Sequence, residues 1–377
     1  MIRLLLAGAI ALPVSAVLAS PPAVATVAAR PVAARPVAAG PEPGVDRRMT
    51  DPRIGESSGL AGSPSHPDVL WTHDDSGNPP RLFALGPSGR VEATLRVTGV
   101  PDVDWEALAA FRDATGRALL AVGDIGDNLG NRQSVEVDVV AEPSSLEDAQ
   151  VRPLLRLRLR YPDGPRDAET LLVDRGRGRM FVVSKGLLGS TVYVVPTTGW
   201  SGRAPARPAI RSATLVRVGW TPLVLVTDGT LAPGGAMLLR TYGQLTVLDP
   251  PPIDEGRHVL VAQATADLPD QPQGEGVTLS RDGRSALLSS EGVGQPVLRF
   301  PLPADLRSAM TGSSPSASAA PTSPSRTSGS PTTVATNGSK ASASSPPLGV
   351  VGGIAAIGVA AIVSGLSALG RRGRRSS

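Results

Sequence analysis

Residues 56–74 read ESSGLAGSPSHPDVLWTHD, and this stretch decides the fold. An acidic residue and a short run of small and apolar residues lead into a Ser-Pro turn. A second apolar run follows and ends in a charge. The same pattern starts again at Glu106, Glu169, Asp228 and Glu275. A β-hairpin that recurs every roughly 50–60 residues is typical of a β-propeller with one blade per copy.

Short apolar segments with Gly and Pro turns follow each hairpin, so each copy predicts a four-stranded antiparallel blade. In Leu155–Arg160 Leu alternates with Arg, which predicts an outermost strand with one face in water. Residues 258–261 are expected to complete the fourth blade. The fifth copy is one strand short, and a strand around Arg53 and Ile54 is expected to close the ring. We therefore expect an all-β fold, a single β-propeller of five to six blades.

One segment conflicts with this pattern. Residues 104–112, DWEALAAFR, have the composition of a capped helix. Their place in the repeat predicts a strand, and strand propensity is strongly dependent on context. We therefore expect residues 104–112 to begin the second blade.

The flanks of the chain have compositions unlike that of the repeat region. Residues 1–25 predict a secretory signal peptide with cleavage after Ala19 or Ala25. Residues 26–52 predict a disordered Ala/Pro-rich spacer, 53–306 the propeller, and 307–347 a Ser/Thr/Pro/Ala-rich stalk. Residues 348–370 predict a transmembrane helix, and the Arg-rich segment 371–377 a cytoplasmic tail. This organisation predicts a single-pass protein of the cell membrane with an extracellular propeller.

Composition excludes several classes of function. The chain has no Cys, which excludes disulfides, thiol catalysis and thiolate metal ligands. The net charge of +4 comes from the flanks, because residues 50–306 hold 25 basic and 31 acidic residues. A nucleic-acid partner would need a basic groove with interleaved aromatic residues, and the sequence shows neither.

The innermost strand of a propeller blade starts at the same end of the channel as the loop between its second and third strands. Acidic and polar residues occupy both places in most copies, so we expect them to form a ring at one channel mouth. Candidate metal ligands are Glu56, Asp74, Asp75, Asp104, Glu106, Asp124, Asp127, Asn128, Asp167, Glu169, Asp228, Glu275 and Glu291. Candidate ligand-binding residues are His73, Lys185 and Arg240.

Two interpretations of this ring stay open. Clustered carboxylates repel one another unless a cation or protons neutralise them, and hard oxygen ligands suit Ca²⁺ or Mg²⁺. Alternatively, the carboxylates accept hydrogen bonds from backbone amides and Arg side chains between blades. The segment GDIGDN, residues 123–128, is the loop densest in oxygen ligands, but it lacks the spacing of an EF-hand.

The segment Gly55–Gly59 matches G-x-S-x-G, the nucleophile elbow of α/β-hydrolases. Its context differs, because the motif requires a strand, a sharp turn and a helix, whereas Ser57 leads into a strand of the repeat. Of the three histidines only His73 is expected near Ser57. The sequence therefore assigns no catalytic residues.

Five segments resemble a group of secreted actinobacterial propeller proteins that are similar in layout to phytase-like esterase propellers and WD-like propellers. They are ESSGL at 56–60, WTHDDSG at 71–77, DWEAL at 104–108, VGDIGDN at 122–128 and YPDGPRDAETL at 161–171. The resemblance covers about residues 53–302 and implies the propeller fold. β-Propeller phytases hold phosphate with several Ca²⁺ ions and with Lys and Arg, whereas one Lys and few Arg occupy the candidate face of this chain.

These observations favour a non-enzymatic extracytoplasmic binding or scaffold module, with Ca²⁺ as its candidate cofactor and a cell-wall polymer or protein as its ligand. The alternative is a metal-dependent hydrolase, either a phosphoesterase or an esterase, that uses the same acidic ring.

Overall fold

The computed structural model describes residues 42–312, apart from Ser76, Asp102, Glu255 and Arg257. Its strands form five sheets of four or five strands each, and one short helix follows the last strand. The predicted all-β propeller is confirmed, with five blades. All five sheets and their buried clusters lie within residues 42–312, so this segment carries its own closed core.

The first three blades have five strands each, named in order from the channel outward. Blade 1 contains β2 (Ser57–Gly62), β3 (Leu70–Asp74), β4 (Arg81–Leu85), β5 (Val91–Val97) and β9 (Ala149–Val151). Blade 2 contains β6 (Trp105–Arg112), β7 (Ala118–Asp124), β8 (Val135–Ala141), β10 (Leu155–Arg160) and β14 (Ala209–Thr214). Blade 3 contains β11 (Ala168–Asp174), β12 (Arg179–Ser184), β13 (Ser190–Val194), β15 (Val216–Thr221) and β19 (His258–Val259).

The last two blades have four strands each. Blade 4 contains β16 (Val226–Leu231), β17 (Met237–Thr241), β18 (Gln244–Leu248) and β20 (Ala262–Asp267). Blade 5 contains β21 (Gly274–Leu279), β22 (Ser285–Ser290), β23 (Pro296–Pro301) and β1 (Gly44–Arg48).

The innermost strands form a closed ring around the channel. Strand β2 contacts β6, β6 contacts β11, β11 contacts β16, β16 contacts β21, and β21 returns to β2. Aliphatic side chains fill the spaces between neighbouring blades, as Leu119 and Val182 do between blades 2 and 3. Because all five innermost strands run in the same direction, residues distant in sequence meet at one end of the channel.

The ring is closed by β1, which pairs antiparallel with β23. The prediction of a closing strand is confirmed, but its predicted position around Arg53 and Ile54 is wrong. Ile54 instead lies buried in the core beside Leu60. Residues 44–48, which we expected to belong to a disordered spacer, are therefore part of the propeller. The buried Arg47 fixes β1 by donating to the carbonyls of Asp68, Leu85 and Gly86.

Three blades carry an additional outer strand in parallel pairing, and this changes two predicted assignments. Leu155–Arg160 is the fourth strand of blade 2 but not its outermost, because β14 pairs beside it. Its three Leu are buried, as expected, while Arg156 and Arg158 form ion pairs with Glu136 and Asp138. Residues 258–259 pair with blade 3, and the fourth strand of blade 4 is β20.

The segment with helix-like composition forms the strand Trp105–Arg112, as the repeat predicted. The one helix among the described residues is α1 (Ala304–Met310), which packs against β18 and β20 and buries Leu306 and Met310. It extends past residue 306, so ordered structure continues into the segment expected to be a stalk.

The predicted signal peptide, most of the stalk, the transmembrane segment and the basic tail lie outside the described residues. Within residues 42–312, no helix has the length and apolar character needed to cross a bilayer.

Candidate functional site at the upper mouth of the channel

The upper mouth is the channel end at which β2, β6, β11, β16 and β21 begin. Each of these strands has a register shift at its start, in the same place in all five blades. A β-bulge leaves the extra residue outside the ladder and redirects its side chain. In three blades a glutamate lies at the shift, namely Glu106, Glu169 and Glu275. The repeated bulge therefore collects three glutamates from strands far apart in the sequence.

These three glutamates are buried and act on one another. Burial, followed by the charges of Glu169 and Asp75, raises the pKa of Glu106 well above its usual range. Burial and the charge of Glu275 likewise raise the pKa of Glu169, against the opposing effect of Lys185. One oxygen of Glu169, Oε2, is buried and accepts no hydrogen bond from the described residues. The glutamates therefore favour a proton or a cation near them.

Lys185 provides one cation at this site. Its ammonium group forms an ion pair with Glu169 and lies 5.4 Å from the ring centre of Tyr242. Burial alone would lower the pKa of Lys185, but the charges of Glu169 and Glu275 outweigh it and raise the pKa. Lys185 thus stays protonated and balances one of the three glutamate charges.

Asp75, Asp104 and Glu106 lie close together at the upper mouth, and we call them the carboxylate triad. One carboxylate oxygen from each residue lies within 4.8 Å of the others. Burial, followed by the charges of Asp75 and Asp167, raises the pKa of Asp104 to about 6. Oxygens at this separation can bind one hard divalent cation and leave further coordination positions for a ligand.

Gly126 makes room for the triad. An added Cβ at Gly126 would lie 2.4 Å from Asp104 Oδ2 and 2.8 Å from Glu106 Cγ. Its amide donates to the carbonyl of Asp104 at 3.2 Å, so the backbone of the GDIGDN loop rests directly against the triad. The loop was predicted to supply ligands through its side chains, and its glycine is what permits the close approach.

Four predicted ligands instead accept hydrogen bonds within the protein. Asp74 accepts from the amides of Gly55 and Glu56, at 2.9 and 3.0 Å, and Asp124 forms an ion pair with Arg132 at 2.6 Å. Asp127 accepts from two amides of its own loop, and Asp228 from the amide of Val277. These carboxylates fix the loops around the triad, as the alternative interpretation of the ring expected.

The remaining predicted ligands lie outside the triad. Asn128 and Glu56 are exposed, and Glu56 accepts a hydrogen bond from Asn78 at 2.9 Å. Asp167 accepts from the amide of Asp127 at 2.9 Å. Burial, followed by the charges of Glu275 and Asp75, raises the pKa of Glu291 to about 7. Glu291 is therefore electrostatically connected to the triad.

Two of the three predicted ligand-binding residues lie too deep to contact a ligand at the open mouth. His73 is fully buried against Trp105, and burial lowers its pKa to about 4. Arg240 is also fully buried and donates to the carbonyls of Gly276 and Ser289. The third, Lys185, is the one at the mouth. The hydroxyl of Ser57, from the G-x-S-x-G motif, bonds Thr72 rather than His73.

Sequence reasoning missed Tyr242, which is partly exposed beside Lys185. Burial, followed by the charge of Glu275, raises the pKa of Tyr242 to about 12. Its position two residues after Arg240, in the loop between the second and third strands, was a usable signal, because the other loops of this type supplied candidates.

No family model and no curated protein matches the chain. Among solved structures, a gluconolactonase of Xanthomonas campestris is 15% identical, with 69% of this chain and 88% of that one covered and a TM-score of 0.36. A luciferin-regenerating enzyme is 12% identical, with 70% and 96% covered and a TM-score of 0.37. The hydrazine synthase of Kuenenia stuttgartiensis is 16% identical, with 63% and 56% covered and a TM-score of 0.35.

Likenesses this distant do not bear on the activity of the chain. The propeller fold implied by the resemblance to secreted propellers is confirmed by the strand pairing described above. None of these comparisons names the actinobacterial or phytase-like group, so that part of the resemblance stays a prediction.

Proposed function

We propose that the upper mouth binds a divalent cation at Asp75, Asp104 and Glu106 and holds an oxygen-rich ligand through that cation. The observation that supports this most is the 4.8 Å grouping of three carboxylate oxygens. The absence of a side chain at Gly126 and the unpartnered Oε2 of Glu169 are consistent with it. Ca²⁺ suits such a site because it accepts carboxylate oxygens in flexible geometry.

Calorimetric titration of residues 42–312 with Ca²⁺ tests this proposal. We expect saturable binding that Asp104→Asn and Glu106→Gln each weaken by at least roughly tenfold, since each removes one charged ligand. Asp282→Asn, in a turn at the other end of the channel, is the matched control and should leave the affinity unchanged. Absence of Ca²⁺ and Mg²⁺ binding by the unmodified protein would rule the proposal out.

A second candidate function is metal-dependent hydrolysis of an ester or phosphoester. It is favoured by Glu169, because burial and the charge of Glu275 raise the pKa of this carboxyl, and a carboxyl with a raised pKa is suited to general acid–base catalysis. A bound cation would supply Lewis-acid polarisation of the substrate oxygen. Lys185 would stabilise the charge of Glu169 once its proton has left.

A screen of carboxyl esters and phosphoesters, with and without Ca²⁺, separates binding from hydrolysis. If the protein is a hydrolase, Glu169→Gln should lower kcat by at least roughly a hundredfold while Ca²⁺ binding persists. If Ca²⁺ binds and no substrate class turns over, the site is a binding site alone.

We further propose that the propeller is displayed outside the cell on the stalk, anchored by residues 348–370, where its ligand is a cell-wall polymer or a protein. The composition of the flanks supports this arrangement. In cell fractionation the full chain should sediment with membranes, and a chain ending at residue 347 should appear in the medium. Retention of the truncated chain inside cells would contradict this topology.

A further inference from the structure

Apolar side chains exposed to solvent gather on one sector of the upper-mouth face. Two loops carry them, the β12–β13 loop and the connection from β15 to β16. We call the exposed and half-buried residues of these loops the leucine patch, which consists of Leu187, Leu188, Leu223, Val224 and Leu225. Leu188 is 91% exposed and Leu187 is 68% exposed. Aliphatic side chains this open are candidates for contact with an apolar ligand.

The two loops are fixed to each other by hydrogen bonds. The amide of Leu225 donates to the carbonyl of Gly186 at 3.0 Å, and the hydroxyl of Ser190 donates to the carbonyl of Leu223 at 2.9 Å. Leu225 has a φ of 53°, a left-handed conformation that residues other than Gly, Asn and Asp rarely adopt. The leucine patch is thus held in a defined shape before any ligand arrives.

The leucine patch is continuous with the charged part of the mouth. Gly186 and Leu187 directly follow Lys185, whose amide donates to the carbonyl of Asp167 at 3.0 Å. Asp167 in turn accepts a hydrogen bond from the amide of Asp127, and the neighbouring amide of Gly126 donates to the carbonyl of Asp104 in the carboxylate triad. Tyr242, 41% exposed, lies beside the ammonium group of Lys185. A single molecule can therefore contact polar and apolar parts of the same face.

We propose that the upper mouth binds an amphiphilic organic anion, with its acid group at the cation of the carboxylate triad and its aliphatic chain across the leucine patch. This inference rests on the proposed cation site. Charge complementarity sets the polar end, because a carboxylate-bound divalent cation attracts a carboxylate or phosphate group. The patch has five residues, whereas each side of a stable protein interface contributes roughly 20–30 residues. A small ligand therefore fits it better than a protein.

A chain-length series tests the proposal. Residues 42–312 loaded with Ca²⁺ are titrated with acetate, butanoate, hexanoate and octanoate, all as free monomers. We expect affinity to rise by roughly two- to fourfold per added methylene, as expected for a methylene that leaves water. In the double variant Leu187→Ser/Leu188→Ser, affinity for the fatty acids should no longer rise with chain length, while Ca²⁺ affinity stays unchanged. Leu188→Ser alone, at the more exposed position, should reduce the rise partly.

The matched control is Ile210→Ser on β14. Ile210 is 67% exposed but lies on the outer edge of blade 2, and its substitution should leave the series intact. Vesicles of phosphatidylcholine with phosphatidylglycerol test whether a bilayer, rather than a single molecule, covers the patch.

The outcomes separate this inference from the proposed function. Absence of Ca²⁺ binding defeats both. If Ca²⁺ binds but affinity does not rise with chain length, the proposed role of the leucine patch is wrong and the cation site stands. The same holds if affinity rises with chain length and the double variant does not change that rise. Binding to vesicles without binding to free octanoate also overturns the proposed role of the patch, because the occupant is then a membrane surface.

Discussion

The two ends of the channel are built from the same five strands, but the carboxyl groups at each end have different surroundings. At the upper mouth, burial and like charges raise the pKa values of Asp104 and Glu106. At the lower mouth, where these strands end, Asp113, Asp174 and Asp282 lie in or directly before hairpin turns and accept hydrogen bonds from the turn amides. The lower-mouth aspartates therefore have partners within their own turns, whereas Asp104 and Glu106 face other carboxylates.

This difference shows that the position of an acidic residue in the repeat does not by itself indicate a functional site. The hydrogen-bond donors around its carboxyl group must also be known. Asp113 accepts from the amides of Thr115, Arg117 and Ala204, and these bonds outweigh burial and lower its pKa. Glu106 has the hydroxyl of Ser58 as a donor, at 3.1 Å. Surplus negative charge in a folded protein costs stability, and such a cost is typical of functional sites.

The largest effect on stability is expected at the lower mouth. Asp113→Ala removes hydrogen bonds that tie the β6–β7 turn to the segment around the buried Ala204, leaving several amides without an acceptor. We expect the free energy of unfolding to fall by about 2–4 kcal/mol. Urea denaturation measures it, with the exposed Asp254→Ala as control. A loss no larger than that of the control would show that the turn does not depend on this carboxylate.

Steric crowding of the carboxylate triad should have the next largest effect. Gly126→Ala places a methyl group against Asp104 and Glu106, so we expect Ca²⁺ affinity to fall by roughly ten- to a hundredfold. Gly243→Ala is the matched control, since a Cβ there meets no atom within 4 Å. Equal affinities of these two variants in calorimetry would remove the triad as the cation site.

Neutralising Asp104 should stabilise the protein when no cation is bound. Asp104→Asn removes a charge that burial and Asp75 disfavour, and we expect a gain of about 1 kcal/mol after screening by solvent is considered. The measurement is urea unfolding in the presence of EDTA. The free energy of unfolding should thus change in the opposite direction to that in Asp113→Ala. A loss of stability in Asp104→Asn would contradict the contrast between the two mouths.

The smallest effect is the pH dependence of stability without cation. The pKa of Asp104 is about 6 in the folded protein against an ordinary 3.8, so its unfavourable contribution appears as pH rises from about 4 towards 7. The pKa of Asp113 is lowered, so its favourable contribution disappears as pH falls below about 4. Stability should therefore peak between pH ~4 and ~5. In Asp104→Asn the decline above the peak should be shallower, and an unchanged slope would argue against this assignment.

The sequence predicted the hairpins of every blade, because each innermost pair is local and its apolar pattern is strong. It predicted even Trp105–Arg112, whose own composition favours a helix. It misplaced β1, since residues 44–48 directly follow the Ala/Pro-rich flank and pair with a strand some 250 residues away. It also misassigned residues 258–259, which complete a neighbouring blade through two parallel pairs. Long-range pairing of short strands leaves little local signal.

For the site, the sequence predicted an acidic ring at one channel mouth. It did not distinguish the residues of the triad from those that accept hydrogen bonds or form ion pairs within the protein. The difference between Asp124, paired with Arg132, and Asp104, in the triad, depends on loop conformation. The bulges that redirect Glu106, Glu169 and Glu275 have no signature of their own in the residue pattern. The leucine patch arises from two loops joined through Gly186 and Leu225, which are far apart in the chain.

Strand β1 is the first strand in the sequence, but it is the outer strand of the last blade, where it pairs with β23. Blade 5 needs residues 44–48 beside Pro296–Pro301, whichever end of the polypeptide supplies them. A rearranged gene that begins near residue 52 and carries the segment 42–50 behind a linker after α1 should therefore encode the same closed ring. The chain would then begin in the loop after β1 instead of before β1, and the carboxylates of the upper mouth would keep their neighbours.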